Sequence, residues 1–278
     1  MNYITESKSN IVKVIKNNYI FILIIFVIII MIVMLNITTT QEYFENKPKV
    51  VVSITTIPDR SKNIDNVLKN LSSFKNVDEI ILNAPSYSDR FKATYKYPQN
   101  ITHIPKVRIN KCEDLGPVTK LLPTVELIGK DEPDTMIIIL DDDINYSEDA
   151  INSIIKEKIE RPNDIVCGKA WSYKKINDYI IPYTLPKGYN DILQGYGIVA
   201  FNRSMFDDDF SDYIKAAMVK HRSVDDLMIS GYMKSKGINI YKIFRPFDVK
   251  PNLELQSSGL MVGNIRDMKQ FKAIRELF

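Results

Sequence analysis

The chain has 278 residues, of which 26% are charged and 45% are hydrophobic, and its formal net charge is +3. These proportions are those of an ordinary globular protein, long enough for one large domain once the first fifty residues are set aside. The lysines are scattered and form no basic stripe of the kind that binds nucleic acid, so we expect no nucleic-acid partner.

An uninterrupted apolar run occupies residues 19–35 near the amino terminus, and Ile37 extends it. Its length suits a helix that crosses a bilayer. It is long for the core of a cleaved signal peptide, and no Ala-x-Ala-like site follows it. We therefore predict four segments: a cytosolic tail over 1–18, a transmembrane helix over 19–37, a stem over 38–48 and a globular domain over 49–278.

Charges around this apolar run predict its orientation. Lys8, Lys13 and Lys16 precede it, whereas the charges that follow it nearly cancel. The positive-inside rule then places the amino terminus in the cytosol, which makes the chain a single-pass type II membrane protein. The domain would lie in the ER or Golgi lumen, or otherwise outside the cytoplasm. There Cys112 and Cys167 could pair or remain buried thiols, and the sequence leaves both open.

The first part of the domain alternates short apolar runs with helical patterns. We predict strands over 49–54, 79–82, 107–109 and 136–140, a loop over 86–104 and a helix over 117–128. This alternation is typical of βαβ units, so the predicted fold class is α/β with a mostly parallel sheet flanked by helices. Because such crossovers are right-handed, the loops that follow the strands should gather at one edge of the sheet.

The later part of the domain is less regular. A helix should begin after Ser147, which can cap it, and end near Arg161. We then predict a strand over 165–168, a loop over 173–191, a strand over 197–201 and a helix over 223–236.

Three adjacent aspartates, Asp141, Asp142 and Asp143, directly follow the apolar run 136–140. Adjacent carboxylates repel one another and are costly to desolvate unless a positive charge lies among them. At the carboxyl end of a buried strand, where open α/β sheets bind ligands, a divalent cation is the natural counter-charge. Oxygen ligands alone favour Mg²⁺ or Mn²⁺. The alternative is a solvated turn that caps the next helix.

Two other acidic groups have simpler interpretations. The run 207–209 follows no buried strand, and we interpret it as a solvated helix start. Asp226 lies three residues after Ser223 and fits a capping box. The alternative is that Asp225 and Asp226 supply a catalytic or acceptor-orienting carboxylate at the start of a helix.

A glycine pair and two histidines complete the candidates. The turn Gly195–Gly197 either lets a ligand approach the main chain closely or is a simple turn. His103 and His221 are both expected to be ordinary histidines, and His221 is the better ligand candidate because it precedes Asp225 closely.

Taken in order, these pieces resemble a glycosyltransferase of the GT-A fold, a Rossmann-like α/β fold. They extend from Val50 to about Ile243, essentially the whole domain, and resemble the glycosyltransferase-2-like and exostosin-like N-acetylhexosaminyltransferase groups. The resemblance rests on six motifs: VVVSITTIPDR, DEIILNAP, NKCEDLGPVTKLLPT, DTMIIILDDD, LQGYGIVAFNR and VDDLMISGYM.

This resemblance implies an enzyme that moves a hexosyl or N-acetylhexosaminyl group from a nucleotide-diphosphate sugar, such as a UDP-sugar, to a glycan or glycoprotein acceptor. It implies Mn²⁺ or Mg²⁺ as cofactor, held by Asp141 and Asp143 against the diphosphate, with Asp142 nearer the ribose. The other implied residues are Thr55, Arg60 and Asn83 around the nucleotide, Lys120 as a further donor contact, and Asp225 and Asp226 facing the acceptor and the reacting carbon. Which of this last pair is catalytic stays open, as do the sugar, the anomeric outcome and the oligomeric state.

Two rival functions use the same acidic motif. An aspartate-nucleophile phosphatase also ends a strand in D-x-D, but on its first strand and with Thr or Val after the motif. Here the motif follows the fourth predicted strand, and Ile144 and Asn145 come next. A non-catalytic, metal-dependent carbohydrate-binding protein would keep the acidic cluster without a nucleotide pocket.

Overall fold

The computed structural model describes residues 24–34, 47–176, 179–243, 250–251, 274 and 276–278. The chain divides into two compact units, Met1–Pro48 and Lys49–Phe278. In the first unit the described residues include one helix, α1 (24–34), whose side chains are all exposed. Among the described residues, no helix combines the length and the apolarity that a membrane crossing needs. The predicted tail, the two ends of the predicted span and most of the predicted stem lie outside the described residues.

The second unit alternates strands and helices along the chain. Its described strands are β1 (Val50–Ile54), β2 (Glu79–Pro85), β3 (Tyr87–Ser88), β4 (Ala93–Thr94), β5 (Val107–Cys112), β6 (Met136–Leu140), β7 (Ile144–Asn145), β8 (Ile165–Cys167), β9 (Ala170–Ile176), β10 (Tyr179–Tyr183), β11 (Gly188–Asn190), β12 (Ile192–Leu193), β13 (Val199–Asn202), β14 (Ile240–Lys242) and β15 (Lys250–Pro251). Its described α-helices are α2 (Pro58–Ser61), α3 (Ile64–Ser72), α4 (Leu122–Leu127), α5 (Glu148–Glu160), α6 (Phe210–His221) and α7 (Asp225–Ser235).

The central sheet has eight strands in the order β11-β14-β8-β13-β6-β1-β2-β5. The strands β6, β1, β2 and β5 are parallel to one another. Strand β13 runs antiparallel to both of its neighbours, β6 and β8, whereas β14 is parallel to β8. The predicted α/β class with a mostly parallel sheet and flanking helices is therefore confirmed.

The direction of the chain changes beside β1. After β1 the chain forms β2 and then β5 on one side, and it returns to form β6 on the other side. Loops that leave two neighbouring strands in opposite directions open a crevice at the carboxyl ends of those strands, where α/β proteins bind ligands. The strand order of this domain therefore places the expected crevice beside residues 55–60, which follow β1, and residues 141–143, which follow β6.

Two apolar layers cover the sheet, and alternation along β1 separates them. Val50, Val52 and Ile54 point to one layer, which α3 and α5 complete, whereas Val51 points to the other. The helices α4, α6 and α7 complete that second layer. Because both faces are covered, the carboxyl edge of the sheet is where polar groups can gather without disturbing the core.

Several predicted boundaries are corrected. The predicted loop 173–191 contains the end of β9 together with β10 and β11, because residues 172–176 and 179–183 pair as an antiparallel hairpin. The predicted loop 86–104 contains β3, β4 and a 3₁₀ turn, Gln99–His103. The predicted helix 117–128 is a 3₁₀ turn, Gly116–Lys120, followed by α4, since Pro123 is tolerated in the first turn of an α-helix but not further inside.

The helices after the aspartates show one success and one error. Ser147 caps α5 as predicted, because its side chain accepts a hydrogen bond from the Ala150 N–H at 3.2 Å. The predicted capping box before α7 is wrong: Val224 is the N-cap residue, and no side chain caps the helix there. Asp226 is consequently available for other contacts.

One buried lysine closes the end of α5. Lys158 is 1% exposed, and its ammonium donates to the carbonyls of Pro162 at 2.8 Å and Asp164 at 2.7 Å. The substitution Lys158→Met removes these donors and leaves the carbonyls unsatisfied, so we expect it to lower the free energy of unfolding by about 2–4 kcal/mol in urea titrations. Lys156→Met on the exposed side of the same helix is the control, with an expected change within about 0.5 kcal/mol. An equal effect of the two substitutions would contradict this role of Lys158.

Candidate functional site

Five segments meet at the carboxyl edge of β1 and β6. Residues 55–60 and 141–143 follow these strands, and the 3₁₀ turn Gly116–Lys120 follows β5. Because β13 is antiparallel to β6, with Val199 opposite Ile139, the turn Gly195–Gly197 that precedes β13 reaches the same edge. The start of α7 is the fifth segment, brought there by contacts of Asp225 and Asp226.

Arg60 pairs with two of the three aspartates. Its Nε donates to Asp142 Oδ2 at 2.9 Å and its Nη2 to Asp142 Oδ1 at 2.5 Å, which is the two-pronged geometry of a strong arginine–carboxylate pair. Its Nη1 donates to Asp143 Oδ2 at 3.1 Å. Thr56 also donates its hydroxyl to Asp142, which is 5% exposed. Arg60 and Asp142 thus form a largely buried ion pair at the carboxyl edge of the sheet, while Asp143 remains partly exposed.

Lys120 joins the third aspartate to α7. Its ammonium donates to Asp141 Oδ1 at 2.7 Å and lies 3.2 Å from Asp225 Oδ2. The lysine side chain is 7% exposed, whereas that of Asp141 is 30% exposed. Asp141 lies 21 positions after Lys120 in the chain and Asp225 lies 105 positions after it, and both contact the same buried ammonium.

The two aspartates that begin α7 have different surroundings. Asp226 Oδ1 accepts a hydrogen bond from the Gly195 N–H at 2.8 Å. Asp225 is buried, and although its Oδ2 lies within ion-pair distance of Lys120, that oxygen accepts no hydrogen bond from any described residue. A buried carboxylate oxygen in this state is costly unless a ligand completes its shell.

Burial and neighbouring charges shift the pKa values of Lys120 and Asp226. Burial alone would lower the pKa of Lys120, but Asp141, Asp225 and Asp226 raise it well above its ordinary value. Burial and the neighbouring Asp225 carboxylate raise the pKa of Asp226 to about 7. The lysine is therefore charged at neutral pH, while Asp226 can exchange a proton there.

Tyr146 and Ile198 support the site, and sequence reasoning missed both. The Tyr146 hydroxyl accepts a hydrogen bond from the Asp141 N–H at 3.1 Å and donates one to the Tyr196 carbonyl at 3.2 Å. It therefore joins residues 141–143, the aspartate loop, to the turn Gly195–Gly197, the glycine turn. Ile198 has φ +59°, a strained value for a β-branched residue, and such strain is often found at functional sites. An aromatic residue five positions after Asp141 is a weak signal for Tyr146, and no sequence signal marks Ile198.

Thr55 and Asn83 lie just beneath the edge. The Thr55 hydroxyl donates to the Asn83 carbonyl at 2.9 Å. The Asn83 side chain is fully buried, where its Nδ2 donates to Thr124 at 2.8 Å and its Oδ1 accepts from Asn110 at 2.8 Å. These contacts place the Asn83 amide inside the protein rather than at the surface of the crevice.

The remaining candidates lie elsewhere or are engaged. His221 bonds Glu276 through Nε2 at 3.0 Å instead of an aspartate of α7. The run 207–209 lies after β13, at the amino end of β6 and thus at the opposite edge of the sheet, where Lys236 lies 2.9 Å from Asp207. Cys112 and Cys167 are both free thiols, which answers the question of their pairing.

Asp141 and Asp143 could hold a divalent cation. Both carboxylates are partly exposed. The four aspartates Asp141, Asp142, Asp143 and Asp225 share the two cations Lys120 and Arg60, so negative charge is in excess among them. Within the described residues, no three His, Cys, Asp or Glu side chains form a group arranged to hold a metal ion. One or two carboxylates together with phosphates of a substrate are nevertheless the usual ligands of Mg²⁺.

No protein-family model matches the chain, and no curated protein matches it. Its function is therefore inferred from the residues at this edge.

Proposed function

We propose that the domain is a metal-dependent glycosyltransferase that moves a hexosyl or N-acetylhexosaminyl group from a nucleotide-diphosphate sugar to a glycan or glycoprotein acceptor. One observation supports it most. Two acidic groups, Asp141 with Asp143 and Asp225 with Asp226, lie on either side of the buried Lys120 at the carboxyl ends of β1 and β6. One group suits a metal-bound diphosphate, and the other suits a reacting hydroxyl.

The donor side of the crevice comprises residues 55–60 and 141–143. Asp141 and Asp143 would hold Mn²⁺ or Mg²⁺, which supplies positive charge against the negative charge that grows on the leaving diphosphate. Arg60 fixes the aspartate loop through its bonds to Asp142 and Asp143. Holding the donor in one orientation lowers the entropic part of the barrier.

The acceptor side comprises the glycine turn and the start of α7. Asp226, whose pKa of about 7 suits a general base at neutral pH, would remove the proton of the acceptor hydroxyl as this oxygen bonds to the glycosidic carbon. Asp225, whose Oδ2 lies 3.2 Å from the Lys120 ammonium, would stabilise positive charge that develops on the sugar ring.

The position of the motif and the surroundings of α7 favour transfer over the two rival functions. A phosphatase of the aspartate-nucleophile class carries its motif on its first strand, whereas Asp141 follows β6 here. A carbohydrate-binding protein gains nothing from Asp226 with a pKa raised to about 7 opposite the metal ligands. We propose further that the apolar amino-terminal segment anchors the chain as a type II membrane protein, with the domain lumenal or otherwise outside the cytoplasm.

Binding of UDP and GDP to the full chain, measured calorimetrically with and without Mn²⁺, tests the donor side. We expect Mn²⁺ to tighten binding of one nucleotide, and Asp143→Asn to weaken that binding about tenfold or more by removing a metal ligand. Asp208→Asn, in the acidic run at the opposite edge, is the matched control and should leave affinity unchanged. A panel of nucleotide sugars, assayed for hydrolysis, identifies the donor. A nucleotide affinity that changes neither on addition of Mn²⁺ nor on the substitution Asp143→Asn would overturn the proposal.

A further inference from the structure

We propose that Lys120 is a positioning residue that fixes the distance between the donor-side carboxylate Asp141 and the acceptor-side carboxylate Asp225. This proposal rests on the proposed function and assigns Lys120 a role other than direct contact with the donor. Its ammonium lies between the two carboxylates, 2.7 Å from Asp141 Oδ1 and 3.2 Å from Asp225 Oδ2. A lysine side chain that is 7% exposed has little surface left for a phosphate.

The backbone of Lys120 is held from below by buried hydroxyls and amides. Its carbonyl accepts a hydrogen bond from the Ser53 hydroxyl, and Ser53 also bonds the Thr124 hydroxyl. Asn83 donates to both Ser53 and Thr124, and Asn110 donates to Asn83. Strands β1, β2 and β5 and the helix α4 thereby fix the point from which the Lys120 side chain extends. Such a fully bonded buried network is rigid.

The ammonium end of Lys120 is confined by Gly195. A Cβ atom at position 195 would lie 2.6 Å from Lys120 Nζ and 3.1 Å from Asp226 Oδ1, closer than ordinary van der Waals contact. The absence of a side chain at Gly195 therefore leaves room for the Lys120 ammonium between Asp141 and Asp225. The glycine turn also bonds Asp226 through the Gly195 N–H, so one turn shapes both sides of the lysine.

The positive charge of Lys120 holds the carboxylates of Asp141 and Asp225 close to each other. Without its ammonium, Asp141 and Asp225 would repel each other and move apart, and the acceptor-side carboxylates would leave their place opposite the sugar. The Asp141 side chain itself is unchanged by the loss of Lys120, so it can still bind the metal ion that would hold the diphosphate. Loss of Lys120 should therefore impair the reaction more than it impairs donor binding, whereas a direct donor contact would impair both together.

The test compares Lys120→Met with wild type in the full chain. We expect the turnover number with the donor found in the hydrolysis panel to fall about 100-fold. The affinity for UDP in the presence of Mn²⁺ should stay within about threefold, because the proposed metal ligands Asp141 and Asp143 are both retained. Lys158→Met is the matched control: it removes another buried lysine, 1% exposed and on α5, and should leave turnover per folded molecule unchanged. Nucleotide affinity that falls in parallel with turnover, or turnover that is unchanged, overturns the positioning role.

Gly195→Ala is the second variant, and it decides the outcome if Lys120→Met fails to fold. It keeps the charge but displaces the ammonium, so turnover should fall about tenfold with UDP affinity retained. The proposal for Lys120 is overturned if Gly195→Ala has the turnover of wild type and Lys120→Met is either unfolded or fully active. A wild-type chain that binds no nucleotide and hydrolyses no nucleotide sugar instead overturns the proposed function itself, so the two failures are distinguishable.

Discussion

Asp226→Asn is expected to lower the rate of sugar transfer by about 10²–10⁴-fold, the usual contribution of a general base. Asparagine has the shape of aspartate, and its amide oxygen can still accept the bond from the Gly195 N–H, which is 2.8 Å in the wild type. The substitution therefore removes the basic group and leaves the glycine turn in place. Steady-state kinetics with saturating donor and acceptor give the comparison, with nucleotide affinity as the check that the donor side is intact.

The pH dependence provides an independent test of the same residue. Because the proposed base Asp226 would act only when it is ionised, and its pKa is raised to about 7, the wild-type rate should fall as the pH decreases below about 7. Asp226→Asn should lose this acidic limb along with most of its activity. If Asp225→Asn abolishes transfer while Asp226→Asn retains it, the two roles are assigned the wrong way round.

The raised pKa of Asp226 also affects stability, with a definite sign. In the unfolded chain an aspartate titrates near pH 4, and in the folded domain Asp226 titrates near 7. Between these values the folded state binds the extra proton, so the contribution of Asp226 to stability is complete below about pH 4 and is lost as the pH rises through about 7. Asp226→Asn should flatten this part of the dependence in urea unfolding measured from pH 4 to pH 8.

Arg60→Ala is expected to lower the free energy of unfolding by about 3–5 kcal/mol, the cost of breaking one side of a buried ion pair. It leaves Asp142, which is 5% exposed, without the two guanidinium bonds at 2.9 and 2.5 Å. The measurement is urea unfolding of the variant against wild type. Lys69→Ala is the control, since Lys69 is 53% exposed and its pair with Asp65 is a surface contact whose loss should cost less than about 1 kcal/mol.

A double substitution separates the lost pair from a general disturbance of the loop. Arg60→Met combined with Asp142→Leu replaces both charges with apolar groups and should recover much of the stability lost in Arg60→Ala. A loss below about 1 kcal/mol in Arg60→Ala would show that water or another group compensates Asp142, and it would contradict the buried pair as the anchor of the aspartate loop.

The parts of the domain that were predictable from sequence are those with a strong local pattern. Five apolar residues before Asp141 predict β6, and the alternation with helical patterns predicts the parallel half of the sheet, whose carboxyl edge then follows from topology. Ser147 predicts the start of α5 because a cap acts over three residues. In each case the deciding interaction lies within a few positions in the chain.

Contacts between distant segments escaped prediction. From the sequence resemblance, Lys120 is expected at this site as a donor contact. Nothing local distinguishes a lysine that will be buried between Asp141 and Asp225 from a lysine exposed on a turn, so these two contacts could not be read from sequence. The hairpin of β9 and β10 escaped for a related reason, since Pro182 and polar residues within it are tolerated where a strand has few neighbours. Likewise, Ser223 has the spacing of a capping box, but the chain turns so that Val224 precedes the helix.

The antiparallel insertion of β13 has a consequence for how this protein can diversify. The parallel strands deliver residues 55–60 and 141–143 from the first half of the domain, whereas β13 delivers the Gly195–Gly197 turn from the second half to the same edge. In the proposed glycosyltransferase, preference for the acceptor hydroxyl and preference for the nucleotide would thus be encoded in separate stretches of the gene. Recombination or mutation within the later stretch would then change the product of the proposed reaction, while the earlier stretch would continue to select the same activated sugar.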